Sequence, residues 1–215
     1  MRIFATGATG FIGGHVARQL RARGDDVVAH VRSPAKAGAL RELGCKLVEG
    51  DLSDGDAIAR GMDGAEAAIH AGAVYKVGVP KSEHAAIFES NVAGTERVLD
   101  AAAADGGPRI VYVWTLGVVC GPHGELVEEG YRRDTPFPSE YERTKTLAHE
   151  LAEDRIAGGA PIVIVQPGGV YGPGDHSEIG NVIGQTRTGE LAALLWSCHE
   201  LKVTGLNGIP EAGVS

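Results

Sequence analysis

Apolar residues in this chain come as short unbroken runs separated by longer stretches of helical period. The runs Arg2–Ala5, Asp26–Val31, Lys46–Val48, Ala67–Ala71, Ile110–Thr115 and Pro161–Val165 mostly lack the alternation of a half-solvated strand. They therefore predict strands covered on both faces. Between them, Ile12, Val16 and Leu20 repeat at spacing four around Gly13–Arg23, Glu83–Ala104 is rich in helix formers, and Ser139–Ala157 reads as amphipathic. Strands alternating with helices predict an α/β fold: a doubly wound parallel sheet with helices on both faces. No internal repeat or linker divides residues 1–190. Beyond them, the apolar patch Leu191–Trp196 leads into residues 197–215, with Gly205, Gly208, Pro210 and Gly213 and no strand–helix unit. This 191–215 tail is expected to be irregular and loosely held.

Composition narrows the function. Lys and Arg total 20 against 28 Asp and Glu, a net charge of −8. That balance excludes partners recognised through a basic face, so neither a nucleic acid nor an anionic membrane is expected. No apolar run approaches the roughly 20 residues of a membrane span or the shape of a signal peptide. Cys45, Cys120 and Cys198 are scattered and odd in number, which fits a reducing cytoplasm better than a disulfide framework. The eight histidines show no metal-ligand spacing, so no metal site is predicted. His70, His149, Trp114 and Trp196 read as structural residues.

Glycine supplies the first chemistry. The run Gly7-Ala8-Thr9-Gly10-Phe11-Ile12-Gly13 follows the first strand and opens the first helix. In that context glycines allow a tight turn and the close approach of a pyrophosphate, with Thr9, Phe11 and Ile12 beside it at the positive end of a helix. An NAD-preferring site places an acid at the end of the second strand. Here His30-Val31-Arg32-Ser33-Pro34-Ala35-Lys36 offers none, and Arg32, Ser33 and Lys36 are suited to a 2′-phosphate. NADP is the expected cofactor, with NAD the alternative.

These residues stand with four further motifs: Gly50-Asp51-Leu52, Asn91-Val92-Ala93-Gly94-Thr95, Tyr141-Glu142-Arg143-Thr144-Lys145 and the segment from Gln166-Pro167-Gly168-Gly169-Val170 to Asp175. Together they resemble the extended short-chain dehydrogenase/reductases, and more narrowly the NAD-dependent epimerase/dehydratase family and its dihydroflavonol-reductase-like members. The resemblance runs from Met1 to about Glu190. It implies a Rossmann domain over residues 1–190 with the C-terminal substrate lobe largely missing, as in a truncated relative. Such a chain is expected to hold cofactor better than it processes substrate. By resemblance, Asp51 and Leu52 meet the adenine, and Ala71, Gly72 and Ala73 let the cofactor lie over the sheet edge. Pro167, Gly168 and Val170 belong to the cofactor site, and Asn91 is structural. Asp51 also has a second reading, as the N-cap of a following helix.

The same resemblance makes Tyr141 and Lys145 catalytic and cofactor-binding residues. Ser139 and Glu142 form a capping box, so a helix beginning there puts Tyr141 and Lys145 one turn apart on one face. An ammonium beside the phenol is expected to lower its pKa toward neutrality. The third catalytic position, a hydroxyl residue at the end of the fifth strand, falls on Thr115 when counted from the strand and on Leu116 when counted back from Gly121. The strand-side count is preferred, and Trp114 then replaces a hydroxyl residue of the family pattern. The implied activity is an NAD(P)-dependent oxidoreductase moving hydride between nicotinamide and a carbonyl or alcohol carbon of a small molecule. A sugar-nucleotide epimerase or dehydratase with retained NAD is the enzyme alternative, and a non-catalytic NADP-binding sensor the third. A homodimer formed through Glu83–Ala104 and Ser139–Ala157 is the expected assembly.

Overall fold

The six apolar runs become six parallel strands: the central ones are covered by helices on both faces, whereas the edge strand over Ile162–Val165 leaves Val163 and Val165 half exposed, a departure from the two-sided cover its sequence predicts. In a computed structural model, residues 1–104, 106–116, 131–132 and 136–188 are described. The strands are β1 (Arg2–Thr6), β2 (Asp26–Val31), β3 (Lys46–Glu49), β4 (Ala67–His70), β5 (Arg109–Val113) and β6 (Ile162–Val165), in the order β3-β2-β1-β4-β5-β6. This is the Rossmann order, with its switch point between β1 and β4. Alternate residues of the strands feed two cores. Phe4, Val28, Ala68, Ile110 and Tyr112 pack with α3 (Gly55–Met62), α5 (Gly94–Ala103) and α6 (Glu140–Ala157). Ile3, Ala5, Val27, Ala29 and Val31 pack with α1 (Phe11–Ala22) and α2 (Gly38–Glu42).

The predicted helix over Glu83–Ala104 is broken into a 3₁₀ turn at Lys81–Glu83, α4 (His84–Phe88), a π-helical turn at Glu89–Ala93, and α5. The π turn carries Asn91, whose side chain turns out of the helix to bond a loop, as described below. Helix α6 starts where the capping box predicts: the Ser139 hydroxyl oxygen accepts from the Glu142 N–H at 3.2 Å and donates to the Glu142 carboxylate at 3.0 Å. Its inward face corrects the amphipathic reading, because Thr144, Lys145, Ala148, His149 and Ala152 are buried there in place of a stripe of large apolar residues. Three helices are additional to the sequence reading: α2, α3 and α7 (Glu178–Thr188).

The chain divides into two compact units, Met1–Val170 and a second from Tyr171 onward. The expected boundary near residue 190, the 191–215 tail, Cys120, Cys198 and Trp196 lie outside the described residues. Cys45 is buried. Among the described residues no helix is long and apolar enough to cross a membrane.

Helix α3 provides a test of packing against propensity. Gly→Ala in a helix interior ordinarily gains about 1 kcal/mol. At Gly61, however, a β-carbon would lie 2.3 Å from Cε2 of the fully buried Phe4 ring. Gly61→Ala is therefore expected to destabilise the fold by about 1–3 kcal/mol in urea denaturation. Stabilisation would show that Phe4 has room to move.

Candidate functional site

At the switch point the backbone excludes side-chain atoms. Gly7 adopts φ +72°, and a β-carbon on it would lie 2.5 Å from the Ala71 carbonyl and 2.6 Å from the Gly72 nitrogen. One on Gly13 would lie 2.2 Å from the Gly7 oxygen, and one on Gly10 3.2 Å from the same atom. The turn therefore folds tightly against Ala71-Gly72-Ala73 as that segment leaves β4. Gly10 is the N-cap of α1, no side chain caps it, and the first turn has no acid. Because the first backbone bond of the helix runs from Gly14 N–H to Gly10 O at 2.8 Å, the amides of Phe11, Ile12 and Gly13 precede the helical ladder. With exposed Thr9 and Gly10, they make an uncompensated positive helix end of the kind that binds phosphate. The residues present thus fit a dinucleotide: the cradle is one that β-carbons would fill.

Around this turn, Arg32 is exposed at the end of β2 and Lys36 is exposed in the following 3₁₀ turn, Pro34–Lys36. Asp51 lies exposed after β3 and accepts from the Ser53 N–H at 2.8 Å and from the Ser53 hydroxyl, which holds its carboxyl below the ordinary range. The N-cap reading of Asp51 is corrected, since Asp54 caps α3 by accepting from Ala57 N–H at 2.9 Å. Leu52 packs beneath α5, where a β-carbon on Gly94 would come within 2.6 Å of its own.

The second cluster forms where β5 meets α6. Trp114, buried at the end of β5, donates its indole N–H to the Lys145 carbonyl at 2.7 Å and stacks on His149 with ring centroids 3.9 Å apart. A buried tryptophan needs such an acceptor, and this one ties α6 to the sheet beside Tyr141 and Lys145. The next residue, Thr115, hydrogen-bonds the Tyr141 phenol. Leu116 is 43% exposed, and its N–H donates to the Pro167 carbonyl at 3.0 Å, placing Pro167 and Gly168 alongside Thr115. Val170 is 38% exposed.

The electrostatics of Tyr141 and Lys145 correct one expectation. Burial, followed by the neighbouring Tyr75, pushes the Tyr141 phenol up to about 12, with the Thr115 bond acting against it. The Tyr75 ring stands edge-on to Tyr141 at 4.8 Å. Burial pulls the Lys145 ammonium down to about 8. Its Nζ lies 5.2 Å from the centre of the Tyr112 ring, a cation–π contact, and does not set the Tyr141 pKa. In this state desolvation outweighs the expected attraction between ammonium and phenolate, so Tyr141 is a held proton.

A polar chain inside the core connects the two clusters, and the sequence reading missed its extent. The Gly72 N–H donates to Thr6 Oγ1 at 3.2 Å, and Thr6 Oγ1 lies 2.6 Å from His70 Nδ1. On the other side, His70 Nε2 is 3.0 Å from Thr95 Oγ1, which donates to the Asn91 carbonyl at 2.7 Å. Since the Thr95 proton is committed to Asn91, Nε2 carries the imidazole proton and Nδ1 accepts from Thr6. Complete burial, then the Lys145 charge, hold His70 neutral with a pKa of about 3. The Asn91 amide accepts from Val74 N–H at 2.7 Å, donates to Val74 O at 3.0 Å, and donates to Thr144 Oγ1 at 3.3 Å. Thr144 sits between Tyr141 and Lys145. The available signal was a histidine on a strand with threonines on the neighbouring elements.

Among the described residues no group of His, Cys, Asp and Glu is placed to hold a metal. A cleft of about 590 Å³, lined by residues including Val79, Lys81, His84, Phe137, Glu140 and Arg143, opens at the N-terminal end of α6. Tyr141, Lys145 and the glycine turn do not line it.

A glycine turn at the switch point of this sheet, with Tyr and Lys one turn apart beside the fifth strand, is the arrangement of a Rossmann domain of the short-chain dehydrogenase/reductase kind. The chain belongs to the NAD-dependent epimerase/dehydratase family, whose sequence model matches residues 3–205, past the expected limit near residue 190. It is 31% identical over 190 residues to sterol demethylase protein B of Methylococcus capsulatus, covering 86% of this chain and 56% of that protein. It is 30% identical over 185 residues to a 3 beta-hydroxysteroid dehydrogenase/Delta 5→4-isomerase of Mycobacterium tuberculosis, covering 82% and 49%. The fold matches a short-chain dehydrogenase/reductase superfamily protein from Agrobacterium tumefaciens with bound NAD, at TM-score 0.66 and 31% identity, over 77% of this chain and 48% of that one. It also matches MoeE5 in complex with UDP-glucose and NAD, at TM-score 0.69 and 29% identity, over 88% and 62%. The chain spans about half the length of the curated relatives it matches.

Lys145 also has a consequence for stability. Its pKa falls on folding from 10.5 to about 8, so at neutral pH the buried ammonium costs on the order of 3 kcal/mol. Between these two pKa values the unfolded chain binds more protons than the native one, and this contribution to stability rises with pH. Lys145→Met is expected to stabilise the fold at pH 7 by about 1–3 kcal/mol, with the gain fading as pH rises from 8 toward 10.5. Urea midpoints across pH measure it, and a variant less stable than the parent at pH 7 would contradict the assignment.

Proposed function

We propose that the chain forms the cofactor-binding and proton-transfer part of an NADP-preferring oxidoreductase that interconverts a carbonyl and an alcohol on a small molecule. The observation that carries this reading is the half-buried Tyr141 phenol, kept protonated and hydrogen-bonded to Thr115. A phenol held in this way is a proton donor, which suits reduction of a carbonyl. The turn from Gly7 to Gly13 would hold the pyrophosphate, Asp51 and Leu52 the adenine, and Arg32 and Lys36 the 2′-phosphate. Lys145 would reach the nicotinamide ribose, with Ala71, Gly72, Ala73, Pro167, Gly168 and Val170 along the cofactor's path. When bound, the nicotinamide supplies or accepts the hydride.

The chain's own residues manage the proton and the substrate oxygen. Thr115 orients that oxygen next to Tyr141 Oη, and the Tyr141 proton moves to it as negative charge develops. In the reverse direction the phenolate takes the proton back. The NADP preference rests on exposed Arg32 and Lys36 and on the lack of an acid at the end of β2. The likeness to MoeE5 with UDP-glucose and NAD supports a second reading, a sugar-nucleotide enzyme that retains NAD.

Tyr141→Phe is expected to lower turnover on a panel of aldehydes, ketones and sugar nucleotides by about 10²–10⁴-fold with dinucleotide affinity preserved. Unchanged turnover would refute the proton-transfer role. Arg32→Ala is expected to weaken NADPH binding by about 1–3 kcal/mol while leaving NADH nearly unaffected. Equal dissociation constants for NADPH and NADH in the parent chain would refute the preference.

A further inference from the structure

We infer that His70 is a positioning residue for the Tyr141–Lys145 pair: through Thr95, Asn91 and Thr144 it fixes the seat of α6 relative to the glycine turn. This inference deepens the proposed function and takes from it only the role of Tyr141. Neither the glycine turn nor the proton-transfer pair contains His70, yet it lies between them in the sheet. Register places it beside Thr6 on β1 and Tyr112 on β5. It is completely buried, and both ring nitrogens are engaged, Nδ1 at 2.6 Å and Nε2 at 3.0 Å.

Two routes run outward from the ring. In the first, Thr6 connects it to the Gly72 amide, in the segment against which Gly7 packs without room for a β-carbon. Thr95 connects it to the Asn91 carbonyl, and the Asn91 amide spans Val74 and Thr144. Thr144 in turn donates to the carbonyls of Glu140 and Tyr141 at 2.9 and 3.0 Å, so the chain ends on the backbone of Tyr141 itself. In the second, the His70 ring stacks on Tyr112 at 5.4 Å, and the Tyr112 ring also meets the Lys145 ammonium at 5.2 Å. A neutral imidazole with a fixed tautomer satisfies both routes, since it donates on one side, accepts on the other and adds no charge near Lys145.

The arrangement also explains the polar interior of the π turn. An α-helix passing through residue 91 would keep its backbone bonds in register, whereas the wider turn at Glu89–Ala93 accompanies an Asn91 side chain that bonds both Val74 and Thr144. Satisfied networks of this kind in a low-dielectric core specify one geometry, because any displaced member leaves a buried polar group unpaired.

The test uses the full chain labelled with [13Cζ]tyrosine, the Tyr141 signal being assigned by its loss in Tyr141→Phe. His70→Phe keeps the ring and its stack but removes both hydrogen bonds, His70→Gln keeps an amide donor toward Thr95, and Thr144→Val breaks the far end of the chain. The Tyr141 signal is expected to move in His70→Phe and in Thr144→Val, and to return toward the parent position in His70→Gln. In turnover, His70→Phe is expected to lower kcat about 10–100-fold, with KM and the NADPH dissociation constant changed less than about threefold. An unmoved Tyr141 signal in a folded His70→Phe overturns the inference, as does a rise in KM with kcat unchanged. If His70→Phe fails to fold, an unmoved signal in Thr144→Val overturns it equally. Absence of turnover in the parent chain, or turnover that survives Tyr141→Phe, counts against the proposed function, while the tyrosine signal still decides the role of His70.

Discussion

Where β1 and β4 run side by side, the segments leaving their carboxyl ends approach so closely that no side chain fits between them. A β-carbon on Gly7 would overlap the backbone of Ala71 and Gly72, and one on Gly13 would overlap Gly7. This contact sets the entry of α1, leaves its first amides uncapped, and brings the β4 exit under the turn. The rest of the site is arranged around it. Thr6 and His70, the last residues of the two strands, bond one another just behind the contact. From His70 the polar chain continues to Asn91 and α6.

The cost of this arrangement falls on α6. A helix that packed for stability alone would bury leucine and isoleucine, whereas α6 buries Thr144, Lys145 and His149 between small alanines. Trp114 offsets part of that cost, filling the space beside His149 and bonding the Lys145 carbonyl. Tyr141 and Lys145 are both shifted toward their neutral forms by desolvation. The proposed site is thus a pre-arranged, partly desolvated pair, with Lys145 buried and Tyr141 half-buried.

Much of the fold was legible because both layers of the sheet leave a trace in sequence: six unbroken apolar runs correspond to six strands, with ends displaced by one or two residues. The Ser139–Glu142 box was readable because its chemistry is local. What was not legible depends on contacts distant in sequence. Helix α3 is eight residues long and carries two glycines, too short and glycine-rich a stretch to stand out, and it is held by the Asp54 cap together with the burial of Ala57, Ile58 and Met62. The π turn at Asn91 answers to Val74 and Thr144, 17 and 53 residues away. The Tyr141 pKa was misjudged because spacing shows that Lys145 is near but cannot show how much water both groups have lost.

The central claim is that one dinucleotide bridges the glycine turn and the Tyr141–Lys145 pair. Amide NMR of the 15N-labelled chain titrated with NADP⁺ tests it directly. Saturable shifts are expected in two groups that move together, one over residues 7–13 with 71–73 and the other over Thr115 and residues 141–145. No saturable shifts, or shifts confined to the cleft at Lys81, His84 and Arg143, would contradict it.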